Sequence, residues 1–447
     1  MHLNTVIKIS ITSLIINVFT TDAMTANPII SRGKPVFTSD GEVRYLTDNK
    51  FGNQFWPVKN GSWVAINTGE GPRKVFLNFN DPAYAWAKAP IAPPNCPNDQ
   101  LVYLRDYDIL TSSNSTNGSN GDWNKVLSIK GNVVTARGHE IEYAGASWVK
   151  IQILDGGGNL DEVEIFDVTK GSEDIWFFAG TSISANTYKG NPPEENFADL
   201  IAKNNPGFNP VMIRGGIGCQ NSTQLVQNIK TYLEIASNAN FWAIEHGTND
   251  AWGGTNGGVS TFKNNLQIVI DSCKKNGIKP VIARMIATNK TAAGWQVHQD
   301  YLKCIDELTT TNNLIPGPDL YSWFSEHPEG LNSDGVHPNA KGAEKIQQLW
   351  ALKMDSLYKS AVYNKERSNL QSKSRLFTMQ IKNRQILIHS SCSGEISIFS
   401  SAGHLLKRTA LLNSKASLKM ESTGVFVVKF VHSKGMETVK FVYNSTN

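Results

Sequence analysis

The sequence predicts an α/β domain built on a parallel sheet, preceded by an all-β domain and followed by a small antiparallel β-sandwich. Three observations carry this. Between about Glu173 and Lys359 short apolar runs alternate with stretches of helical length, the texture of a parallel sheet covered by helices on both faces. From about Pro28 to Thr169 β-like runs follow one another through loops rich in Gly, Asn, Ser and Pro, with no long helical period. Near the C-terminus short alternating runs return. The length of 447 residues agrees, since roughly 150 residues per domain allows about three. Apolar residues at 40% and charged residues at 18% exclude a wholly disordered or collagen-like chain. A net charge of +4 over this length does not make a nucleic-acid binder.

Taken in order, residues 1–26 read as a secretory signal peptide: Lys8 precedes an apolar run from Ile9 to Phe19, and small residues follow up to Ala23 and Ala26. That run is about half the ~20 residues of a spanning helix. No later segment reaches that length, so cleavage is expected to leave a soluble protein without stable membrane insertion. Five cysteines (Cys96, Cys219, Cys273, Cys304 and Cys392) cannot all pair, and none shows the close spacing of a zinc site. A Cys273–Cys304 bridge is left open.

Residues 28–169 are expected to form an accessory β-sandwich with strands at Trp63–Asn67, Lys74–Phe79, Val126–Ile129, Trp148–Leu154 and Val163–Val168. Trp56, Trp63, Trp86, Tyr103 and Trp123 can each present a ring to a sugar face, but large aromatics are mostly core. Glycan binding is therefore assigned to the domain and to no residue.

Residues 173–359 carry the chemistry. The expected strands are Ile175–Ala179, Val211–Ile213, Phe241–Ile244 and Pro280–Met285; the expected helices are Phe197–Lys203, Ser222–Ser237, Thr261–Lys275, Gln296–Thr309 and Ala340–Leu357. In such sheets the site lies at the carboxyl ends of the strands. There stand Gly180-Thr181-Ser182-Ile183, Gly215-Gly-Ile-Gly218-Cys219, and Glu245-His246-Gly247-Thr248-Asn249-Asp250. Before the last helix comes Ser333-Asp334-Gly-Val-His337-Pro338, with Pro338 suited to that helix's first turn. Each motif alone is ordinary loop chemistry. Together they supply a serine, a His to activate it, and backbone and amide donors for an oxyanion.

These blocks resemble the SGNH (GDSL-type) hydrolase family over roughly 185 residues. The resemblance implies a flavodoxin-like fold and a Ser-His-Asp site: Ser182 as nucleophile, His337 as base, Asp334 as orienting acid, and an oxyanion hole from Ser182, Gly218 or Cys219, and Asn249. Two departures stand out. Cys219 occupies a position where the family commonly has Gly, and Thr181 one where it normally has Asp. His246 reads either as a substrate contact or as a strand-end His satisfied by backbone groups. Trp252 and the glycines of Gly253–Gly258 read either as a substrate loop or as a connection.

In the accessory domain, Trp123-Asn-Lys-Val, Gly131-Asn132, Arg137-Gly-His139-Glu-Ile, Trp148-Val-Lys-Ile151 and Asp161-Glu-Val-Glu-Ile165 resemble a galactose-binding-like jelly roll. Residues 360–375 read as a linker. Residues 376–447 carry strand-like runs at Phe377–Ile381, Gln385–Ile388, Glu395–Phe399, Val425–Val431 and Thr438–Tyr443. Gly424-Val-Phe-Val-Val-Lys429 and Lys440-Phe-Val-Tyr443 resemble the last strands of the type IX secretion sorting domain, which implies the export machinery as a partner. The alternative is a basic surface-binding β-module. From Lys365 onward thirteen Lys/Arg face four Asp/Glu, so the rest of the chain is mildly acidic.

The expected function is a secreted or cell-surface serine esterase acting on carbohydrate esters, such as O-acetyl groups of a plant polysaccharide, with no metal or cofactor. The alternatives are a catalytically inactive glycan-binding protein or adhesin, with Thr181 and Cys219 as signs of decay, and an acylhydrolase of lipid esters. The sequence sets no oligomeric state.

Overall fold

The computed structural model describes residues 27–447 except 53, 70–73, 83–103, 172, 191–192, 237, 373–376, 383–384, 391–392, 401–403, 412–414, 420–423, 433–434 and 444–447. The expected signal peptide, Trp86, Tyr103, Cys96 and Cys392 lie outside the described residues.

Five parallel strands form the central sheet: β1 (Ile175–Gly180), β2 (Val211–Arg214), β3 (Phe241–Glu245), β4 (Lys279–Arg284) and β5 (Ile315–Asp319). Their order is β2-β1-β3-β4-β5, the flavodoxin-like order, in which the chain reverses direction across the sheet at β1. Every residue of β1 and β3 is buried, as strands covered on both faces must be. The fifth strand was not expected from sequence. Its Ile-Pro-Gly-Pro-Asp holds a single β-former, Ile315, and its prolines fit an edge position, where missing N–H groups break no ladder.

The helices are α1 (Ser182–Ala185), α2 (Phe197–Asn204), α3 (Ser222–Gln227), α4 (Ile229–Ile235), α5 (Val259–Lys275), α6 (Lys290–Ala293), α7 (Gln299–Thr311), α8 (Leu320–Glu326) and α9 (Ala340–Ser372). The single helix expected over Ser222–Ser237 breaks at Asn228 into α3 and α4. Helix α9 runs well past Leu357, so the stretch read as a linker is helical up to Ser372. Residues 357–372 contain neither Gly nor Pro, and nothing local stops the helix. Pro338 lies outside α9 and instead bridges to Leu331.

The N-terminal region folds as two main antiparallel sheets. One has six strands in the order Gly41–Val43, Val36–Thr38, Trp63–Asn67, Trp148–Gly156, Leu104–Ser112 and Asn124–Ile129; the other has three, Glu162–Asp167, Lys74–Asn80 and Ala136–Glu142. Trp56, Val64, Leu77, Ile109, Ile151 and Ile165 are among the core side chains they share. The smaller sheet also belongs to the central domain. Phe76, Val134, Phe166 and Val168 join one apolar cluster with Ile175, Phe177 and Ile213. Polar contacts reinforce the join: Arg214 pairs with Glu164 at 3.0 Å, Asn78 donates to the Met212 carbonyl at 2.8 Å, and the buried Lys189 donates to Thr135 at 3.0 Å. The accessory and central regions thus form one compact unit that ends near Ala361.

Of the aromatics singled out, Trp56 is core, while Trp63 and Trp123 flank the Lys150 ammonium at 4.8 and 3.6 Å. Cys273 and Cys304 are both free and buried, which closes the question of a bridge between them, and Cys219 is disulfide-bonded.

The unit from Val362 onward contains two antiparallel sheets, Phe377–Lys382, Gln385–Ser390 and Lys415–Lys419 in one, and Leu405–Leu411, Gly394–Ser400, Gly424–His432 and Gly435–Tyr443 in the other. Leu405–Leu411 and Lys415–Lys419 were not read from sequence. Their lysines and arginine dilute the apolar alternation. Among the described residues no helix is long and apolar enough to cross a membrane, and no group of three or more His, Cys, Asp or Glu is arranged to hold a metal ion.

Asp174, just before β1, ties the sheet to α9. Its Oδ1 accepts from Tyr358 Oη at 2.8 Å and from Trp176 Nε1 at 3.0 Å, whereas Oδ2 finds no donor among the described residues. Burial pushes this carboxyl up to about 7, against the opposing effect of the two hydrogen bonds. Between the ordinary carboxyl value near 4 and about 7, the folded state holds a proton that the unfolded state has released, so this group subtracts stability as pH rises through that window. Asp174→Asn removes the ionisation. The melting temperature of the variant relative to wild type is expected to climb from pH 5 to pH 8; a difference independent of pH would contradict the assignment.

Candidate active site

The site is assembled where the carboxyl ends of β1, β2 and β3 meet the loop before α9. Strand β1 ends at Gly180, where a Cβ would lie 1.8 Å from Ser184 Oγ, so only glycine lets the chain turn this tightly into α1. Thr181 then caps the helix: it is extended (φ −106°, ψ −158°), and its Oγ1 accepts from the Ile183 N–H at 3.2 Å. Ser182 is the first helical residue and half-buried.

The structure brings the three expected triad residues together. His337 Nε2 lies 2.9 Å from Ser182 Oγ, and His337 Nδ1 lies 2.6 Å from Asp334 Oδ2. The other Asp334 oxygen accepts the backbone N–H groups of Val336 and His337 at 2.9 and 3.0 Å. Partial burial acts to raise the Asp334 carboxyl, but the two N–H groups and the imidazole outweigh it and hold the group below its ordinary value. Asp334 is therefore an anion at neutral pH, fixed in one orientation beside the imidazole.

Of the expected oxyanion donors, Asn249 stands next to the Gly218–Cys219 turn. Asn249 Nδ2 donates to the Gln220 carbonyl at 2.9 Å, which holds its amide beside the Gly218–Cys219 turn. Cys219 is exposed and left-handed, with φ +57°. That conformation favours glycine; here a disulfide-bonded cysteine holds it. Asp250 stitches the two loops together, accepting from Ser222 N at 3.1 Å and from Ser222 Oγ at 2.5 Å. Tyr301 Oη in turn donates to the Asp250 carbonyl at 2.7 Å.

One residue of the site's support was not singled out from sequence. Glu245, the last residue of β3, accepts from Ser184 of α1, from Tyr188 Oη at 2.8 Å and from Trp350 Nε1 of α9 at 2.5 Å. Burial raises its carboxyl above the ordinary value, and the three donors oppose that rise. An acidic residue ending an otherwise apolar strand was the available signal. His246 matches neither of its two sequence readings. It is fully buried, away from any surface a substrate can reach, and neither ring nitrogen has a partner among the described residues. Burial brings the imidazole down to about 3, so it is neutral.

Thr181→Ala deletes the hydroxyl that caps α1 and is expected to lower unfolding stability by about 1 kcal/mol. Thr181→Ser keeps the hydroxyl and is expected to retain most of it. Urea denaturation of both variants checks this, and equal losses would show that the methyl group rather than the cap matters.

No family model matches the chain, and no curated protein matches it. Among solved structures it is similar to a lipase/acylhydrolase from Enterococcus faecalis, with 20% identity over 41% of this chain and 96% of that one at a TM-score of 0.34. It is also similar to a catalytic mutant of an acetylxylan esterase from Geobacillus stearothermophilus, with 13% identity over 41% and 95% at 0.34. A longer match, over 68% of this chain and 88% of the other, is to a protein from Bacillus subtilis, with 12% identity and a TM-score of 0.39.

Proposed function

We propose that the protein is a serine esterase of the SGNH type. The observation that carries this reading is the unbroken hydrogen-bond chain from Asp334 through His337 to Ser182 Oγ. In this mechanism Ser182 Oγ attacks the ester carbonyl carbon while His337 Nε2 takes the hydroxyl proton. The tetrahedral oxyanion is met by the Asn249 amide and by backbone N–H groups of Ser182 and of the Gly218–Cys219 turn. The intermediate collapses and breaks the C–O bond, and His337 returns the proton to the leaving alkoxide. Water, activated by the same imidazole, then cleaves the acyl group from Ser182. Asp334 keeps its charge and holds Nδ1 protonated throughout. No step calls for a metal or cofactor.

The substrate class proposed is a carbohydrate ester, with O-acetyl groups of a polysaccharide as the first candidates. What supports it is the fusion of the accessory β-sheets, read as a jelly roll, to the catalytic region. The rival reading of a decayed, glycan-binding hydrolase rests on Thr181 and Cys219. Both have a local role: one caps α1, and the other holds the left-handed turn beside Asn249. The proposal extends to export, with residues 1–26 as signal and 376–447 as sorting domain, and rests there on sequence alone.

Wild-type protein is expected to hydrolyse 4-nitrophenyl acetate and to release acetate from acetylated xylan. Ser182→Ala is expected to lower kcat by at least about 10⁴-fold, and Asn249→Ala by about 10²-fold to 10³-fold. Equal rates for Ser182→Ala and wild type would end the esterase reading. Turnover of long-chain lipid esters with no release from any glycan would end the carbohydrate assignment.

A further inference from the structure

Two tryptophans stand beside the site without a part in its chemistry. Trp252 follows Asn249 by three residues and is 56% exposed. Trp295 lies between α6 and α7, half-buried, with its carbonyl held by Thr288 Oγ1 at 2.9 Å. The ring centroids are 5.1 Å apart and the planes meet at 49°, so the pair forms an open angle rather than a closed stack. Both rings belong to segments that abut the reacting groups. Gly254, two residues after Trp252, packs so closely on Gln296 that a Cβ there would lie 2.7 Å from its carbonyl oxygen. The segment carrying Trp295 begins at Asn289, whose N–H donates at 2.8 Å to the carbonyl of Gly335, the residue between Asp334 and Val336. The pair therefore lines the rim between the loop that carries Asn249 and the loop that carries His337.

An indole half open to water is unusual for so large an apolar group. The segments that carry the pair are polar: the exposed amides of Gln296 and Gln299 both donate to Tyr321 Oη, at 3.4 and 2.8 Å, and Asn256, four residues after Trp252, donates to Asp300 at 3.4 Å. An apolar ring face bordered by amide and hydroxyl groups matches a pyranose, whose C–H face lies on aromatic rings while its hydroxyls take hydrogen bonds. An acyl chain would bury its length against apolar walls, which this polar border does not supply. We propose that Trp252 and Trp295 form a subsite for a sugar ring of the polysaccharide that carries the scissile ester. The proposal rests on the esterase reading for its place in turnover and names the part of the substrate that the site grips.

The test uses an acetylated xylo-oligosaccharide and 4-nitrophenyl acetate side by side. In Trp252→Ala and in Trp295→Ala, KM for the oligosaccharide is expected to rise about tenfold with little change in kcat, lowering its kcat/KM relative to that of the aryl acetate by the same factor. Trp252→Phe, which keeps a ring, is expected to restore most of the loss. Binding is read separately by fluorescence titration of the Ser182→Ala protein with the same oligosaccharide, and is expected to weaken about tenfold when Trp252→Ala is added. Equal losses on both substrates, or an unchanged oligosaccharide KM in both variants, would overturn the subsite. So would a KM effect confined to long-chain acyl esters. Should wild type hydrolyse neither substrate, the esterase reading fails by itself, and the titration still decides whether the tryptophans hold a sugar.

Discussion

A serine becomes a nucleophile when its oxygen is held against a base, and in this protein the elements that hold Ser182 against His337 are tied together through the carboxylate of Glu245. It takes hydrogen bonds from Ser184 in α1, from Tyr188 in the following turn and from Trp350 in α9. A carboxylate removed from water is costly unless its oxygens are satisfied, so any shift of α1 or α9 that breaks one of these bonds leaves a penalty behind. The same constraint explains the missing Cβ at Gly180. Ser182 is thus fixed from below by the sheet and from the side by α9, the helix whose preceding loop supplies His337.

The accessory region belongs to this framework. Arg214, at the end of β2 and shortly before the Gly218–Cys219 turn, is paired with Glu164 of the three-stranded sheet. Lys189, near the end of the turn that carries Tyr188, is buried against Thr135 of the accessory region, and burial lowers its ammonium to about 8. With Phe76, Val134, Phe166 and Val168 in the central apolar cluster, the accessory β-sheets share their packing with the central sheet. Removing them would expose apolar surface of the central sheet to water and take from Arg214 both its Glu164 partner and the Phe51 ring that covers it at 3.6 Å.

Much of this was legible in the sequence because it is written in local patterns. Apolar runs such as Phe241–Ile244 followed by a polar block announce a parallel strand and its carboxyl end; Ser182 and Asn249 are read from such ends, and Asp334 and His337 from the block before the last helix. What was not legible depends on contacts distant in sequence. The role of Glu245 requires knowing that Trp350 returns to β3, a separation of 105 residues. The merging of two expected domains into one unit depends on which face of Lys74–Asn80 the central sheet covers, and alternation alone does not name the partner of a face. Strand β5 and the extension of α9 failed for a different reason: edge position and the lack of a stop signal outweighed local propensity. His246 shows the opposite error, a residue judged by its neighbours in sequence whose ring turns into the core.

The central claim is that Ser182, through His337, is an activated nucleophile. Its most direct test is covalent trapping with a fluorophosphonate, in which the serine oxygen displaces fluoride from phosphorus, followed by peptide mass mapping. One equivalent of adduct on the peptide that contains Ser182, with the rate falling sharply in His337→Ala, is the result this account predicts. No adduct on Ser182, or labelling at an equal rate without His337, would contradict it.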